Sequence, residues 1–250
     1  MGQSKAYSIV YYVDGLIIDT GHHRKKNKII EAVKDFNVNQ IFITHHHEDH
    51  TGNSKELKAL FGCDVYASQH CCELMKNPPA LSFAQKLYWG PRPAQHDFKP
   101  VEKKLKTKHF EFELIPIPGH APDMMALYEP NRKWLFSADL FIHHRIGYFM
   151  TTESMKTQMD SLRKVLSYDF DVLFCAHNPQ LQNGKQRLKD KLDYFEGFFD
   201  QVTTLHEKGM GEKEIFKTLQ LSELKMIKLL SRGYLSKMNM VRSVIRDIGG

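Results

Sequence analysis

Thr44-His45-His46-His47-Glu48-Asp49-His50 is the stretch from which the rest of this chain can be read. It has the form H-x-H-x-D-H, with His45, His47, Asp49 and His50 at the fixed positions. Gln40 to Ile43, just ahead of it, is a short apolar run of buried-strand type. Thr51-Gly52-Asn53 follows as punctuation, and Ser54 to Phe61 has helical spacing. Four ligand-type side chains therefore share one strand-to-helix loop. On an extended chain residues 45 and 47 face the same way, and the turn into the helix brings 49 and 50 to a second position. Imidazole and carboxylate together suit Zn²⁺, Mn²⁺ or Fe. A solvated His-rich loop is the bland alternative; the strand before and the helix after weigh against it.

Three more polar residues end apolar runs. His120, in Pro118-Gly119-His120, follows the strand-like Phe110 to Ile117. Asp139 follows Trp134-Leu135-Phe136, and His177 follows Val172-Leu173-Phe174. The C-terminal ends of strands are where α/β folds carry chemistry. A lone histidine at such an end is ordinarily structural, but three such ends beside the loop form a pattern.

With these residues in view, the chain resembles the metallo-β-lactamase-fold hydrolase superfamily, and within it the glyoxalase II-like branch. The matching positions are Asp19 in Ile17-Ile18-Asp19-Thr20-Gly21, the H-x-H-x-D-H loop, His120, Asp139 and His177, over roughly residues 7 to 180. Ala138 departs from the pattern, which usually has Gly before the bridging aspartate. The resemblance implies a four-layer αββα sandwich of mixed α and β structure, placed over residues 1–183; the apolar spacing beyond it reads as a C-terminal helical extension or cap over 184–250. It implies two divalent metal ions, zinc first and manganese or iron as alternatives. His45, His47 and His120 would hold one, Asp49, His50 and His177 the other, and Asp139 would bridge. Asp19 would support the loop histidines from behind. A hydroxide between the metals would be the nucleophile, oriented by Asp49, so no protein nucleophile is needed.

Composition agrees with a soluble globular chain. Of 250 residues 42% are apolar and 26% charged, with a formal net charge of +6. No run approaches 18 consecutive apolar residues, so no membrane span is expected. The N-terminus has no apolar secretory core, and Ala6 stands where a myristoylation pattern wants Ser or Thr. Cys63, Cys71, Cys72 and Cys175 form no C-x-x-C pair. The expectation is a reducing, cytoplasmic setting. Residues 205 to 250 hold nine Lys and Arg against five Asp and Glu, so the basicity is concentrated there.

In chain order, Tyr7 to Val13 and Leu16 to Asp19 read as a hairpin about Asp14-Gly15. Lys25 to Phe36 reads as an amphipathic helix, Asp64 to Ala67 as a strand and Gln69 to Lys76 as a helix. His22 and His23 are expected at the surface near the site mouth. Residues 77 to 100 are broken by prolines and carry Phe83, Tyr88 and Trp89, with a helical turn near 81–87; they read as a lid or an aromatic packing cluster. Strands follow near 110–117, 124–128, 133–137 and 171–175, with a helix from Ser154, a candidate N-cap, to Ser167. From 184 on, a long apolar stripe at Leu188, Leu192, Phe195, Phe198 and Phe199 precedes three short helices near 212–219, 222–231 and 236–247.

The leading expectation is hydrolysis of a thioester or ester in a small molecule, with His143 and Tyr148 as substrate contacts. No G-x-S-x-G elbow offers a serine alternative. The competing reading is a metal-dependent nuclease or phosphodiesterase, because Lys237, Asn239, Arg242 and Arg246 on the last helices could form a helix-turn-helix that meets phosphates. A mononuclear iron sulfur-dioxygenase is a third reading. No membrane partner is expected, and assembly into a homo-oligomer is left open.

Overall fold

Neighbouring side chains along the strands part to opposite faces, and this alternation builds the layers. Leu16 and Ile18 join Phe42, Phe112, Leu127 and Phe136 in one buried cluster. Ile17, between them, joins Ile41, Leu57, Val65 and Met75 in another. The computed structural model describes residues 8–249, the side chains of Phe83 and Ala84 excepted. The N-terminal segment and Tyr7, at the head of the expected hairpin, lie outside the described residues.

The first sheet contains β1 (Tyr11–Val13), β2 (Leu16–Ile18), β3 (Gln40–Phe42), β4 (Asp64–Ala67) and β5 (Lys99–Pro100), paired in that order. β1 and β2 are antiparallel, as the Asp14-Gly15 turn requires, and the remaining pairs are parallel. Asp14 and Gly15 both have positive φ, at 48° and 84°. The intervening helices are α1 (Lys26–Val33), α2 (Glu48–Thr51), α3 (Ser54–Phe61), α4 (Gln69–Lys76) and α5 (Phe83–Trp89). α1, α3 and α4 cover the outer face through Val33, Leu57, Cys71, Cys72 and Met75.

The second sheet contains β6 (Lys104–Lys106), β7 (Glu111–Pro116), β8 (Met125–Glu129) and β9 (Trp134–Ala138). After a two-residue strand β10 (Phe149–Met150), it is completed by β11 (Val172–Cys175), in the order β11-β9-β8-β7-β6. Its inner face meets the first sheet, with Phe136 stacked on Phe174 at 4.6 Å between ring centroids. Its outer face packs on α6 (Met155–Leu166) and α7 (Gly184–Glu207), through Ile115, Leu135 and Leu173 against Leu162, Leu188 and Phe195. The result is a four-layer αββα sandwich.

α8 (Glu212–Thr218), α9 (Lys225–Leu230), β12 (Leu235–Ser236) and α10 (Met238–Gly249) complete the described chain. β12 pairs with β10. Ile215, Met240, Val241 and Val244 enter the same buried cluster as α6 and α7. Among the described residues, no helix is long and apolar enough to cross a membrane.

Two local readings need correction. His22 is buried, not surface-exposed: its ring meets Trp89 edge-on at 5.1 Å, and its carbonyl accepts from Asn53 Nδ2 at 3.2 Å. The proline-broken segment contains a whole helix, α5, started by a capping box in which Ser82 and Gln85 satisfy each other's backbone.

Candidate metal centre

β3 delivers the H-x-H-x-D-H loop, and Thr44 anchors it. Thr44 N donates to Asp19 Oδ1 at 2.8 Å, and Thr44 Oγ1 donates to Asp19 Oδ2 at 2.9 Å. The Thr44 carbonyl accepts from Met125 N at 3.0 Å, which ties the loop to the second sheet. His46, between the two fixed histidines, turns away: its Nδ1 lies 2.7 Å from Asp123 Oδ1, and its backbone N donates to Asp123 Oδ2 at 2.8 Å. Thr20 Oγ1 donates to the His50 carbonyl at 2.7 Å and holds the other end of the loop.

The ends of β7, β9 and β11 close on this loop. Ligand atoms of His45, His47 and His120 form one group, and those of Asp49, His50, Asp139 and His177 another, the atoms of each lying within 4.8 Å of one another. His47 Nδ1 stands 3.1 Å from both His45 Nε2 and His120 Nε2. His50 Nε2 and His177 Nε2 are each 3.6 Å from Asp49 Oδ2. Asp139, of the second group, also reaches the first: its Oδ2 lies 3.3 Å from His120 Nε2 and 3.2 Å from His177 Nε2, and its Oδ1 lies 3.3 Å from His50 Nε2. The seven residues named from sequence therefore converge.

Two carboxylates orient the rings from outside. Asp19 Oδ2 faces His50 Nδ1 at 2.8 Å. Glu153 Oε1 faces His120 Nδ1 at 2.6 Å, and its other oxygen accepts from Met150 N at 2.7 Å. An imidazole that gives one N–H to a carboxylate turns its other nitrogen inward with a lone pair available. The sequence reading missed Glu153, which belongs to no motif; its one local sign is the position directly before the Ser154 N-cap, where Ser154 Oγ accepts from Thr157 N.

The donor set fits divalent ions. His50 Nε2 and Asp139 Oδ1 are buried yet make no well-formed hydrogen bond. Burial, followed by neighbouring imidazoles, drives the His45 and His47 pKa values well below the usual range, so both rings are neutral donors. At His50 burial acts in the same direction, but Asp49, Asp19 and Asp139 outweigh it and raise the pKa well above the usual value. His177 is raised to about 9, with Asp139 and Asp49 overcoming burial. The half of the site that contains the carboxylates thus attracts positive charge strongly, as a dication site does.

Comparison with known proteins now decides the family: the metallo-beta-lactamase superfamily profile matches residues 6–177. The chain belongs to the metallo-beta-lactamase superfamily. It is 29% identical over 179 residues to an uncharacterized protein of Aquifex aeolicus, covering 70% of this chain and 83% of the relative. It is 34% identical over 139 residues to a hydroxyacylglutathione hydrolase of Bdellovibrio bacteriovorus, covering 55% of this chain but only 48%, about half, of that enzyme. A metallo-beta-lactamase family crystal structure from Thermus thermophilus superposes with a TM-score of 0.68 at 18% identity, covering 96% of this chain and 88% of the other. At that identity the likeness speaks for the fold.

The superfamily's Gly position, occupied here by Ala138, has φ of 46°. Left-handed backbone explains why glycine suits this turn, since a Cβ there costs about 1–2 kcal/mol. Gly119, before His120, has φ of 129°, and a Cβ on it would stand 2.6 Å from Gln158 N and Cγ. The His120 turn can therefore press directly on α6 only without a side chain. Of the two expected substrate contacts, Tyr148 is exposed at 36%; partial desolvation raises its phenol pKa, and the charges of Glu153, Asp139 and Asp49 act in the same direction. His143 is exposed and accepts a hydrogen bond from Arg145 N at 3.1 Å.

Proposed function

We propose that this protein is a dinuclear metal-dependent hydrolase that cleaves a thioester or ester in a small-molecule substrate. The observation that carries the reading is Asp139, one carboxylate within 3.3 Å of imidazoles from both ligand groups. His45, His47 and His120 would hold one ion, Asp49, His50 and His177 the other, and Asp139 both. When bound, the ions, zinc in the first instance, supply a Lewis acid for the scissile carbonyl and bring the pKa of a water near neutrality. Asp49 would accept a hydrogen bond from the attacking water and aim it. Asp19 and Glu153 hold the rings of His50 and His120 in register, so the donors need no rearrangement during turnover. Tyr148, exposed on the segment that follows Asp139, would contact substrate.

The thioester or ester assignment draws on the hydroxyacylglutathione hydrolase relative and is the finer part of the proposal. Of the residues on which the phosphodiester alternative depends, Lys237 and Asn239 are buried, while Arg242 and Arg246 are exposed and bonded to acceptors of the chain. Lys237 is buried, and its Nζ donates to the Ile146 carbonyl and to Tyr194 Oη, both at 2.9 Å. Asn239 is buried and donates to the Phe149 carbonyl at 3.0 Å. Arg242 pairs with both oxygens of Glu212, and Arg246 donates to the carbonyls of Thr151 and Glu153. Metal analysis of the purified protein, combined with a panel of thioesters, esters and phosphodiesters, tests the reading. Two ions per chain with thioester or ester turnover is the expected result. Phosphodiester turnover with steeply salt-dependent RNA or DNA binding would replace it with the nuclease.

A further inference from the structure

Lys191 is the residue of α7 that its surroundings do not explain. The helix meets the core with Leu188, Leu192 and Phe195, and a methionine among them would satisfy the packing. Instead an ammonium group lies there at 1% relative exposure. Buried charge is expensive and persists where it is compensated. The Lys191 Nζ donates to the Leu140 carbonyl at 2.6 Å and to Gln158 Oε1 at 3.4 Å, and it lies 5.0 Å from the centre of the Phe195 ring. Burial lowers its pKa to about 8, with Glu153 and Asp139 pulling the other way.

Each of these acceptors leads to the candidate centre. Leu140 follows Asp139 in a turn closed by Leu140 N donating to the Ser137 carbonyl at 3.0 Å, with Ala138 in left-handed backbone between them. Ala176 N donates to the Ala138 carbonyl at 3.0 Å and fixes one side of that turn. Lys191 fixes the far side. Along the other arm, Gln158 Nε2 donates to Glu153 Oε1 at 3.3 Å, the same oxygen that faces His120 Nδ1. One ammonium group therefore joins the backbone that presents Asp139 to the chain of groups that orients His120. These two residues approach each other to 3.3 Å where the ligand groups meet.

We propose that Lys191 is a positioning residue: from α7 it sets the distance between Asp139 and His120, and hence the ability of the centre to hold both ions. The proposal rests on the two-ion hydrolase reading. It gives α7 a part in the chemistry beyond covering the second sheet, because the side chain touches neither substrate nor ions and acts through two residues that do.

The test compares Lys191→Met with Leu188→Ala, a core truncation on the same helix that touches neither arm. Zinc affinity is measured by chelator competition, ion content after dialysis, and Tm on the metal-free protein. Lys191→Met is expected to lower zinc affinity about 10–100-fold, the range for residues that orient ligands, without lowering the metal-free Tm. Leu188→Ala is expected to lower the metal-free Tm and leave zinc affinity unchanged. If Lys191→Met behaves like Leu188→Ala, the residue is structural only and the proposal is overturned. If Lys191→Met does not fold, Gln158→Leu cuts the arm to Glu153 and is measured in the same way; folded Gln158→Leu with wild-type zinc affinity overturns the proposal. Wild-type protein that takes up no ion would instead overturn the two-ion reading, and this inference with it.

Discussion

Asp19 Oδ2 lies 2.8 Å from His50 Nδ1, and both side chains are buried. The other Asp19 oxygen accepts from the backbone of Thr44, so one carboxylate fixes both the loop and the ring. Asp19→Asn keeps the shape and removes the charge. Zinc affinity is expected to fall about 10–100-fold, with the metal-free fold retained. Chelator competition and far-UV circular dichroism measure the two effects. Wild-type affinity in this variant would show that His50 needs no anionic support.

Asp139→Ala removes the carboxylate that lies within 3.3 Å of imidazoles from both groups. Two cations would then lie close together with less negative charge between them. Ion content is expected to fall from two per chain toward one, and turnover by more than the roughly 10–100-fold that follows loss of an outer partner. Unchanged ion content and unchanged turnover would contradict the dinuclear arrangement.

Glu153 permits a graded comparison. Glu153→Gln keeps an acceptor for His120 Nδ1 but loses the charge, and charge-assisted hydrogen bonds are roughly twice as strong as neutral ones. Glu153→Ala loses both, and leaves Met150 N without its acceptor. The expected order of zinc affinity is wild type, then Gln, then Ala, spanning about 10–100-fold. Equal affinities in all three would remove Glu153 from the centre.

Asp14 provides a pH-dependent effect far from the metal ligands. Its carboxyl is lowered from 3.8 to about 2, first by the Thr107 hydroxyl and then by His109. These bonds, at 2.6 Å and 2.8 Å, fasten the β1–β2 turn to the β6–β7 turn of the other sheet. A carboxyl with a lowered folded pKa contributes stability that is complete above the unfolded pKa and is lost as pH falls through the folded one. Asp14→Asn is therefore expected to lower the Tm at pH 6, and the gap from wild type should close between about pH 4 and pH 2. A gap that persists at pH 2 would assign the effect to packing.

The ligands were legible because each ends an apolar run, and a strand end is a fixed address in this kind of fold. Asp64–Ala67, Ser54–Phe61 and Gln69–Lys76 could be bounded from sequence because Gly, Ser and Asn stand at their limits. Glu153 and Lys191 could not be found in the same way. Glu153 meets His120 from 33 residues away and Lys191 meets Leu140 from 51 away, and nothing local marks either pairing. The two-residue strands β5, β10 and β12 are too short for any periodicity to register. The pairings of the basic C-terminal helices were hidden for a related reason. Charge is visible in a sequence, but the acceptors that occupy Lys237, Arg242 and Arg246 lie on distant segments.

Those distant pairings also set an order of events. The segment from Thr151 to Lys156 is held by α10, through Arg246 on the Thr151 and Glu153 carbonyls, Ser243 on Met155 N and Asp247 on Lys156 N. Arg246 lies 93 residues beyond Glu153. At translation rates of about 5–20 residues per second, roughly 5–20 s pass between synthesis of Glu153 and synthesis of the helix that secures it. During that interval His45, His47, Asp49, His50 and His120 already exist, but the carboxylate that aligns His120 is not yet held in place. The nascent chain thus carries all seven ligand residues before α10 is made, and the segment that contains Glu153 gains these contacts only when α10 docks.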